Sequence, residues 1–312
     1  MINIKKFPNF AKQPKAAKPP KAEKQPKLAK RHKKLNRSGA GNFLSFSFLL
    51  ILGVAMLFPF VYAISNSFKP LNELFIYPPK LFVQHPTTDN FSQLFVLMSE
   101  STVPFSRYIF NTFFITLVGT VGHVIFASLA GFVLSKYEFP GRAMLFTLIT
   151  TSLMFISQIT GIVNYITISN LGILDSPWAL IIPAFGSSMG VFLMKQFMDS
   201  MIPGPVLESA AVDGAGLLRI FWTIVMPMVK PAWITLIIFD IQSLWNIDGG
   251  TYLISEQNKT LSYALSQITA SGIARMGVAS AAAVIIMIVP IITFIITQSN
   301  VVETMAASGI KE

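Results

Sequence analysis

The sequence predicts an all-α membrane protein with six transmembrane helices and a cytoplasmic helix-turn-helix between the fourth and the fifth. Of its 312 residues, 53% are hydrophobic and only 12% are charged, and the mean hydropathy is +0.60. A soluble globule of this size carries far more charge. Six apolar segments approach the roughly 20 residues that a spanning helix requires. One acidic stretch punctuated by proline and glycine separates two of them.

The basic character of the chain lies in its first 42 residues. Of the 24 basic and 14 acidic residues, this tail holds 13 basic residues and the single acid Glu23, which leaves 11 basic and 13 acidic residues for the remainder. Lysine alternates there with proline and alanine without an apolar period, so we expect a disordered cytoplasmic tail, 1–42, that lies near anionic lipid. Nucleic-acid binding would favour interleaved aromatic residues, and we expect no nucleic-acid partner.

Residues 43–312 are predicted to form one six-span membrane domain. The candidate spans are 43–64, 108–134, 143–165, 178–198, 231–245 and 277–297. With both termini in the cytoplasm, 19 basic residues lie inside and five outside, which satisfies the positive-inside rule. Small residues crowd the second and fourth spans, among them Gly119, Gly122, Gly131, Gly186 and Gly190. They predict close helix packing rather than ligand binding.

The segment between the fourth and fifth spans, about 199–230, is too polar to stay in the membrane. Inserting Glu208 or Asp213 would cost about 2.5–3.5 kcal/mol for each acid. Pro205 is suited to the first turn of a helix, and we expect Glu208 in that same turn, close to the positive helix N-terminus. Gly214 and Gly216 would end this helix and reverse the chain. A carboxylate that merely caps a solvated loop is the simpler alternative.

A second short helix is predicted from about Leu217. Leu218, Phe221, Trp222 and Val225 follow at helical spacing and form an apolar stripe that suits membrane or a partner helix. Two prolines at 227 and 231 would then bend the chain into the fifth span. A short helix held between two spans in this way is a mechanical handle that a partner protein can grip.

The handle resembles the EAA loop of permease subunits of binding-protein-dependent ABC importers. The pattern of that loop is E-A-A, three residues, G, nine residues and I-x-L-P. The matching residues here are Glu208-Ser209-Ala210, then Gly214, then Ile224-Val225-Met226-Pro227. Ser209 replaces an alanine and Met226 a leucine. The fuller Asp213-Gly214-Ala215, together with "SFKP", "YPPK", "FPGR" and "WN" elsewhere, is similar to the carbohydrate, maltose-type branch of that family.

The resemblance implies a set of coupling residues that dock on a cytoplasmic ATPase. They are Glu208, Ser209, Ala210, Asp213, Gly214, Ala215, Gly216 and Pro227. Glu208 would face an arginine of the ATPase. The C-terminal stretch "TQSNVVETMAASGIKE" is similar to a tail that reaches into the ATPase dimer, with Gly309 and Lys311 in the matching positions. The implied partners are a second permease subunit, two ABC ATPase copies, an extracytoplasmic sugar-binding protein and membrane lipid.

Polar residues inside spans are the candidates for a substrate pathway. Tyr165, Asp240, Trp245 and Asn246 combine the aromatic, amide and carboxylate groups that bind sugars, although aromatic residues at membrane interfaces are more often anchors. If charged, Asp240 would face a water-filled cavity or a polar partner, and if protonated it would form a hydrogen bond across the bundle. We interpret His123 as a packing residue, because no acid lies one helical turn away from it.

The sequence contains no cysteine, no G-x-x-x-x-G-K-[ST] loop, no His-Glu-x-x-His pattern and no nucleophile elbow. We therefore expect a transport subunit that is not itself an enzyme, holds no metal or cofactor, and relies on ATP used by a partner. The expected function is sugar or oligosaccharide import across the cell membrane. The alternatives are an ABC importer of another solute, a secondary transporter, which favours inverted repeats, or a purely structural membrane scaffold.

Overall fold

The structure is a computed structural model that describes residues 39–99, 103–155, 157–270, 272 and 275–309. Contacts divide the chain into two compact units, residues 1–53 and 54–312. Of the first unit only the beginning of one helix is described, and all the packing discussed below lies in the second. The tail predicted over 1–42 lies almost wholly outside the described residues and stays a prediction.

The described residues form helices joined by turns and loops. The α-helices in chain order are α1 Gly39–Ser67, α2 Leu71–Leu74, α3 Asp89–Ser99, α4 Phe105–Lys136, α5 Arg142–Ser152, α6 Ser157–Asn170, α7 Trp178–Phe185, α8 Ser188–Met201, α9 Gly204–Val212, α10 Leu217–Ile220, α11 Met226–Met228, α12 Lys230–Trp245, α13 Leu261–Thr269 and α14 Met276–Gly309. A π-helical turn, Phe221–Val225, joins α10 to α11, and a 3₁₀ turn, Glu256–Asn258, precedes α13.

Four helical segments of the described chain are long and apolar enough to cross a membrane. They are Gly41–Ser67, Phe105–Lys136, Trp178–Met201 and Met276–Gln298. A fifth is added if Leu217–Met228 and Lys230–Trp245, which meet at 79°, form one broken span. The all-helical membrane architecture is confirmed by these segments, whereas the predicted number of six spans is not.

The predicted third span, 143–165, is not one continuous helix. Helix α5 ends at Ser152, and α6 begins at Ser157. Hydroxyl side chains compete for the helical carbonyls at this point, because Thr150 Oγ1 donates to Phe146 O and Ser152 Oγ donates to Ile149 O. The backbone then tightens into a turn in which Leu153 N donates to Thr150 O at 3.3 Å. The prediction of a single helix here is therefore wrong.

Helix α4 lies at the centre of the bundle and packs against α7, α8 and α12. Its glycines mark the points of closest approach. A Cβ atom added to Gly122 would lie 2.0 Å from Phe185 Cε1, and one added to Gly131 would lie 2.9 Å from Met194 Cβ on α8. A larger residue at either position would push the neighbouring helix away. The sequence interpretation of these glycines as packing residues is confirmed.

Hydrogen bonds to Asp175 join two loops of the bundle, and these contacts are called the latch below. Asp175, in left-handed backbone conformation at φ 58°, accepts hydrogen bonds from the backbone N–H groups of Ile254 and Ser255 and from the Ser255 hydroxyl. Burial opposes ionisation of this carboxyl group, but the Ser255 and Asn258 hydrogen bonds outweigh it and hold the pKa of Asp175 below its usual range. The latch ties the α6–α7 connection to the loop that follows α12.

Candidate functional site

Helix α9 forms the first half of the predicted handle. It begins at Gly204, with Pro205 in its first turn as predicted. Glu208 therefore lies in the second turn and not, as expected, in the first. The helix ends on a Schellman-type turn, in which Ala215 N donates to Ala210 O at 3.0 Å and Gly214 takes a φ of +78°. The predicted glycine-terminated reversal is confirmed by this geometry.

The outer surface of α9 is exposed and combines acidic with apolar groups. Glu208, Ser209, Val212 and Asp213 are all exposed, and Val212 leaves 86% of its surface uncovered. Glu208 and Val212 are four residues apart and share one face of the helix. Ala210 points the other way and is buried in the core cluster that contains Phe221. The segment is thus fixed on its inner side and free on its outer side.

The second half of the handle runs without interruption from α10 through the π-helical turn to α11. Gly216 stands at the N-cap position of α10 in extended backbone conformation. The predicted apolar stripe divides into two parts: Phe221 and Val225 are buried, whereas Leu218 and Trp222 remain exposed. Buried side chains on one face anchor this helical run to the bundle.

A sharp bend joins the handle to α12. The run Leu217–Met228 meets Lys230–Trp245 at 79°. Val229 is fully buried at the bend, and Trp233 Nε1 donates across it to Met226 O at 3.1 Å. The bend falls between Pro227 and Pro231, as the sequence predicts. Packing of Val229 and the indole hydrogen bond hold the two helical runs together at this bend.

The polar pathway candidate Asp240 pairs with His123. His123 Nδ1 on α4 lies 2.7 Å from both carboxylate oxygens of Asp240 on α12, and the two side chains are only 4% and 13% exposed. His123 is buried, as expected of a packing residue, and its acidic partner comes from another helix and not from a neighbouring turn of α4. His123 Nε2 is buried without a hydrogen-bond partner and lies against Gly190 of α8.

The other three pathway candidates lie in separate surroundings. Trp245 is buried among α3, α13 and α14, and its Nε1 donates to Ile286 O at 3.0 Å. Asn246 is exposed and donates to Gln242 O at 2.7 Å. Tyr165 is half-exposed on α6, with its ring 6.1 Å from the Tyr252 ring. The described contacts do not bring the four candidates together, and their role in a pathway stays a prediction.

Of the two C-terminal residues singled out by sequence, only Gly309 is described. It is the last residue of α14. Lys311 lies outside the described residues, and the predicted contact of this tail with an ATPase stays a prediction.

Fold and site together define a class of protein: an all-helical membrane protein with an exposed helix-turn segment that joins a helix of its bundle through a sharp bend. Its relatives are named as transport system permeases. The chain is 30% identical over 203 residues to the polygalacturonan/rhamnogalacturonan transport system permease protein YtcP of Bacillus subtilis, covering 65% of this chain and 68% of YtcP. It is 28% identical to the galactooligosaccharide permease protein GanQ of the same organism over 276 residues, covering 86% and 95%.

A further permease relative and a solved transporter structure are also similar to this chain. The sn-glycerol-3-phosphate transport system permease protein UgpE of Yersinia enterocolitica is 30% identical over 200 residues, 64% of this chain and 71% of UgpE. A solved bacterial ABC transporter involved in the import of the acidic polysaccharide alginate shares the fold, with a TM-score of 0.72 and 22% identity over 84% of this chain and 98% of that one. No family model matches the chain. The chain belongs to the permease subunits of binding-protein-dependent carbohydrate ABC importers.

Proposed function

We propose that this chain is the membrane permease subunit of an ATP-driven importer of oligosaccharides. The observation that carries the proposal is the exposed face of α9, with Glu208 and Val212, on a segment rigidly joined to α12 through the 79° bend. An exposed apolar and acidic helix on a rigid mount suits docking to another protein. The expected assembly contains a second permease subunit, two copies of an ABC ATPase and an external sugar-binding protein.

In this proposal α9 transmits ATPase motion to the bundle. The carboxylate of Glu208 pairs with an arginine of the ATPase, and such pairs can be bidentate and therefore geometrically strict. Closure of the ATPase dimer displaces α9, and the buried residues Phe221, Val225 and Val229 carry the displacement into α12. Rotation of α12 against its neighbours then exposes the pathway alternately to the two sides of the membrane. Hydrolysis, which takes place in the partner, resets the cycle.

The proposed topology places both termini in the cytoplasm of a cell with this chain in its plasma or inner membrane. The excess of basic residues on that side supports this orientation. The ATPase-docking face of α9 then lies in the cytoplasm, and the Asp175 latch lies outside, where a binding protein delivers sugar.

The proposed substrate class is an oligosaccharide. The names of YtcP and GanQ, which refer to polygalacturonan, rhamnogalacturonan and galactooligosaccharides, support it. A polyol phosphate is a second candidate, which the name of UgpE favours. Both candidates are hydroxyl-rich, so the polar groups predicted to line the pathway suit either of them.

The test is uptake by proteoliposomes that contain the complete transporter and its binding protein. Labelled galacturonan and galactan oligosaccharides are compared with sn-glycerol-3-phosphate, each with and without ATP inside. We expect oligosaccharide uptake that requires ATP and is abolished by Glu208→Lys. Glu138→Lys is the matched control, because Glu138 is also an exposed acid, on the connection between α4 and α5. Uptake of glycerol phosphate alone would contradict the substrate class, and undiminished uptake by Glu208→Lys would contradict the coupling role.

A further inference from the structure

The chain holds the beginning of α9 by a contact that no sequence motif indicates. Lys136, the last residue of α4, donates a hydrogen bond from Nζ to the backbone carbonyl of Ile202 at 2.8 Å. Ile202 is the C-cap of α8 and is 2% exposed. It is followed only by Pro203 before α9 begins. The lysine therefore binds the two-residue connection that leads into the segment proposed to dock on the ATPase.

The other restraints on this connection are the burial of Ile202 in the core cluster and backbone hydrogen bonds, one of them from Val206 N to Pro203 O at 3.3 Å. Ile202 and Pro203 both take extended backbone conformations, with ψ angles of 104° and 138°. Ile202 still donates its N–H to Met198 O at 3.2 Å, but proline has no N–H to donate. A hydrogen bond from an ammonium group is stronger than one between neutral groups. Lys136 thus supplies the strongest polar restraint that the described contacts show on this connection.

Neighbouring groups hold Lys136 in position. Ser135 Oγ donates to Asp199 Oδ1 at 2.6 Å, which links the end of α4 to α8. Arg142 donates from Nε to Leu134 O at 2.8 Å and from Nη2 to Ser135 O at 3.2 Å. Arg142 therefore satisfies carbonyl groups that the end of α4 leaves without helical partners. The result is a fixed α4 terminus from which Lys136 reaches Ile202.

We infer that Lys136 is a positioning residue for ATPase coupling. Helix α9 packs on the bundle through Ala210, leads into the bend to α12 at its far end, and is linked to α4 at its near end by the Lys136–Ile202 hydrogen bond. Without the lysine, packing alone would hold the near end, and part of the applied displacement would be lost there. With the hydrogen bond, displacement of α9 moves α4 and α12 together. This inference rests on the proposed function.

Lys195 provides a matched comparison within the same cluster. Its Nζ lies 2.6 Å from Asp199 Oδ2 and 4.3 Å from the centre of the Phe146 ring. The described contacts of the Lys195 ammonium group are with Asp199 and Phe146, whereas Lys136 donates to Ile202 O. Removing either lysine removes one positive charge near Asp199. Only removal of Lys136 removes a hydrogen bond to the connection that leads into α9.

The experiment compares Lys136→Met with Lys195→Met in the complete transporter, reconstituted with its ATPase, sister permease and binding protein. Both sugar uptake and ATP hydrolysis are measured, and their ratio gives the sugar transported per ATP. We expect Lys136→Met to lower this ratio by about tenfold, the order of effect for losing one hydrogen bond to a charged group, while the complex still assembles and hydrolyses ATP. Lys195→Met should stay within about twofold of the unmodified protein, and Lys136→Arg, which keeps a charged donor, should restore most of the ratio.

Equal effects of the two methionine variants would overturn the inference, because they would assign only a charge-balancing role to Lys136. A Lys136→Met chain that fails to assemble with its ATPase would also overturn it, since the inference assigns transmission and not assembly to this residue. The proposed function fails separately: an unmodified complex that transports sugar without ATP refutes it whatever the lysine variants do. An unmodified complex with ATP-dependent uptake and indistinguishable lysine variants refutes the inference alone.

Discussion

Replacing Gly190 by alanine should destabilise the protein, although it adds a single methyl group. The new Cβ atom would lie 2.0 Å from His123 Nε2 and 2.7 Å from His123 Cε1. The imidazole ring cannot simply move away, because its Nδ1 lies 2.7 Å from both oxygens of Asp240. The substitution must therefore either break the His123–Asp240 pair or move α8 away from α4.

The response that costs less free energy sets the size of the destabilisation. Breaking the hydrogen bond between His123 and Asp240 leaves buried polar groups without a partner, which costs about 1–3 kcal/mol. Overpacking a core by a methyl group also costs about 1–3 kcal/mol. By either response, we expect the free energy of unfolding to fall by about 1–3 kcal/mol. At about 2–4 °C per kcal/mol for a domain of about 150–250 residues, the melting temperature should fall by roughly 2–12 °C.

The assay is thermal unfolding of the purified complex in detergent. Gly186→Ala is the control, because a Cβ atom there meets only Pro183 O at 3.7 Å, an ordinary contact. Asp240→Asn in the Gly190→Ala background tests whether the His123–Asp240 pair takes up the strain, since neighbouring changes that share one contact are not additive. A Gly190→Ala protein that melts with the Gly186→Ala control would refute the close packing of His123 on α8.

Three other predictions test separate parts of the structure. Gly214→Ala should raise proteolytic cleavage of the α9–α10 turn by a factor of about 5–30, because an L-residue at its φ of +78° costs roughly 1–2 kcal/mol. Gly216→Ala, at φ −67°, should leave cleavage unchanged. Equal cleavage of the two variants would contradict a requirement for glycine at position 214. Asp175→Asn should make the melting temperature less dependent on pH in the acid range. The lowered pKa of Asp175 contributes stability that is complete above the unfolded-state pKa of about 3.9 and is lost as pH falls through the lower folded-state pKa. An unchanged dependence of the melting temperature on acid pH would count against the latch. Trp245→Phe should cost about 1 kcal/mol of stability through the lost bond to Ile286 O and leave the KM for sugar unchanged; a raised KM would assign the indole to the pathway instead.

Features encoded by local sequence could be predicted, and the handle between the fourth and fifth predicted spans is the clearest of them. The helix boundary at Pro205, the reversal at Gly214 and the bend between two prolines all follow from residues whose backbone preferences are strong. The close approach of α4 to its neighbours also follows from the small residues in its sequence. These features need no knowledge of which helix packs against which.

Long-range contacts and competing local hydrogen bonds explain what sequence analysis missed. His123 and Asp240 are 117 positions apart, so nothing along the chain indicates that they meet. The break between α5 and α6 depends on hydroxyl groups that bond to helical carbonyls, which a hydropathy pattern does not register. The sequence suited Trp245 to a pathway or to an interfacial anchor, and neither indicated that its side chain is buried against α3, α13 and α14.

Identification of the proteins that co-purify with this chain tests the account most directly. An affinity-tagged copy expressed with its neighbouring transporter genes is purified in mild detergent, and its partners are identified by mass spectrometry. The account predicts an ABC ATPase and a second permease subunit with the unmodified chain, and loss of the ATPase with Glu208→Lys but not with Glu138→Lys. A chain that elutes alone and transports sugar in liposomes without ATP would contradict it.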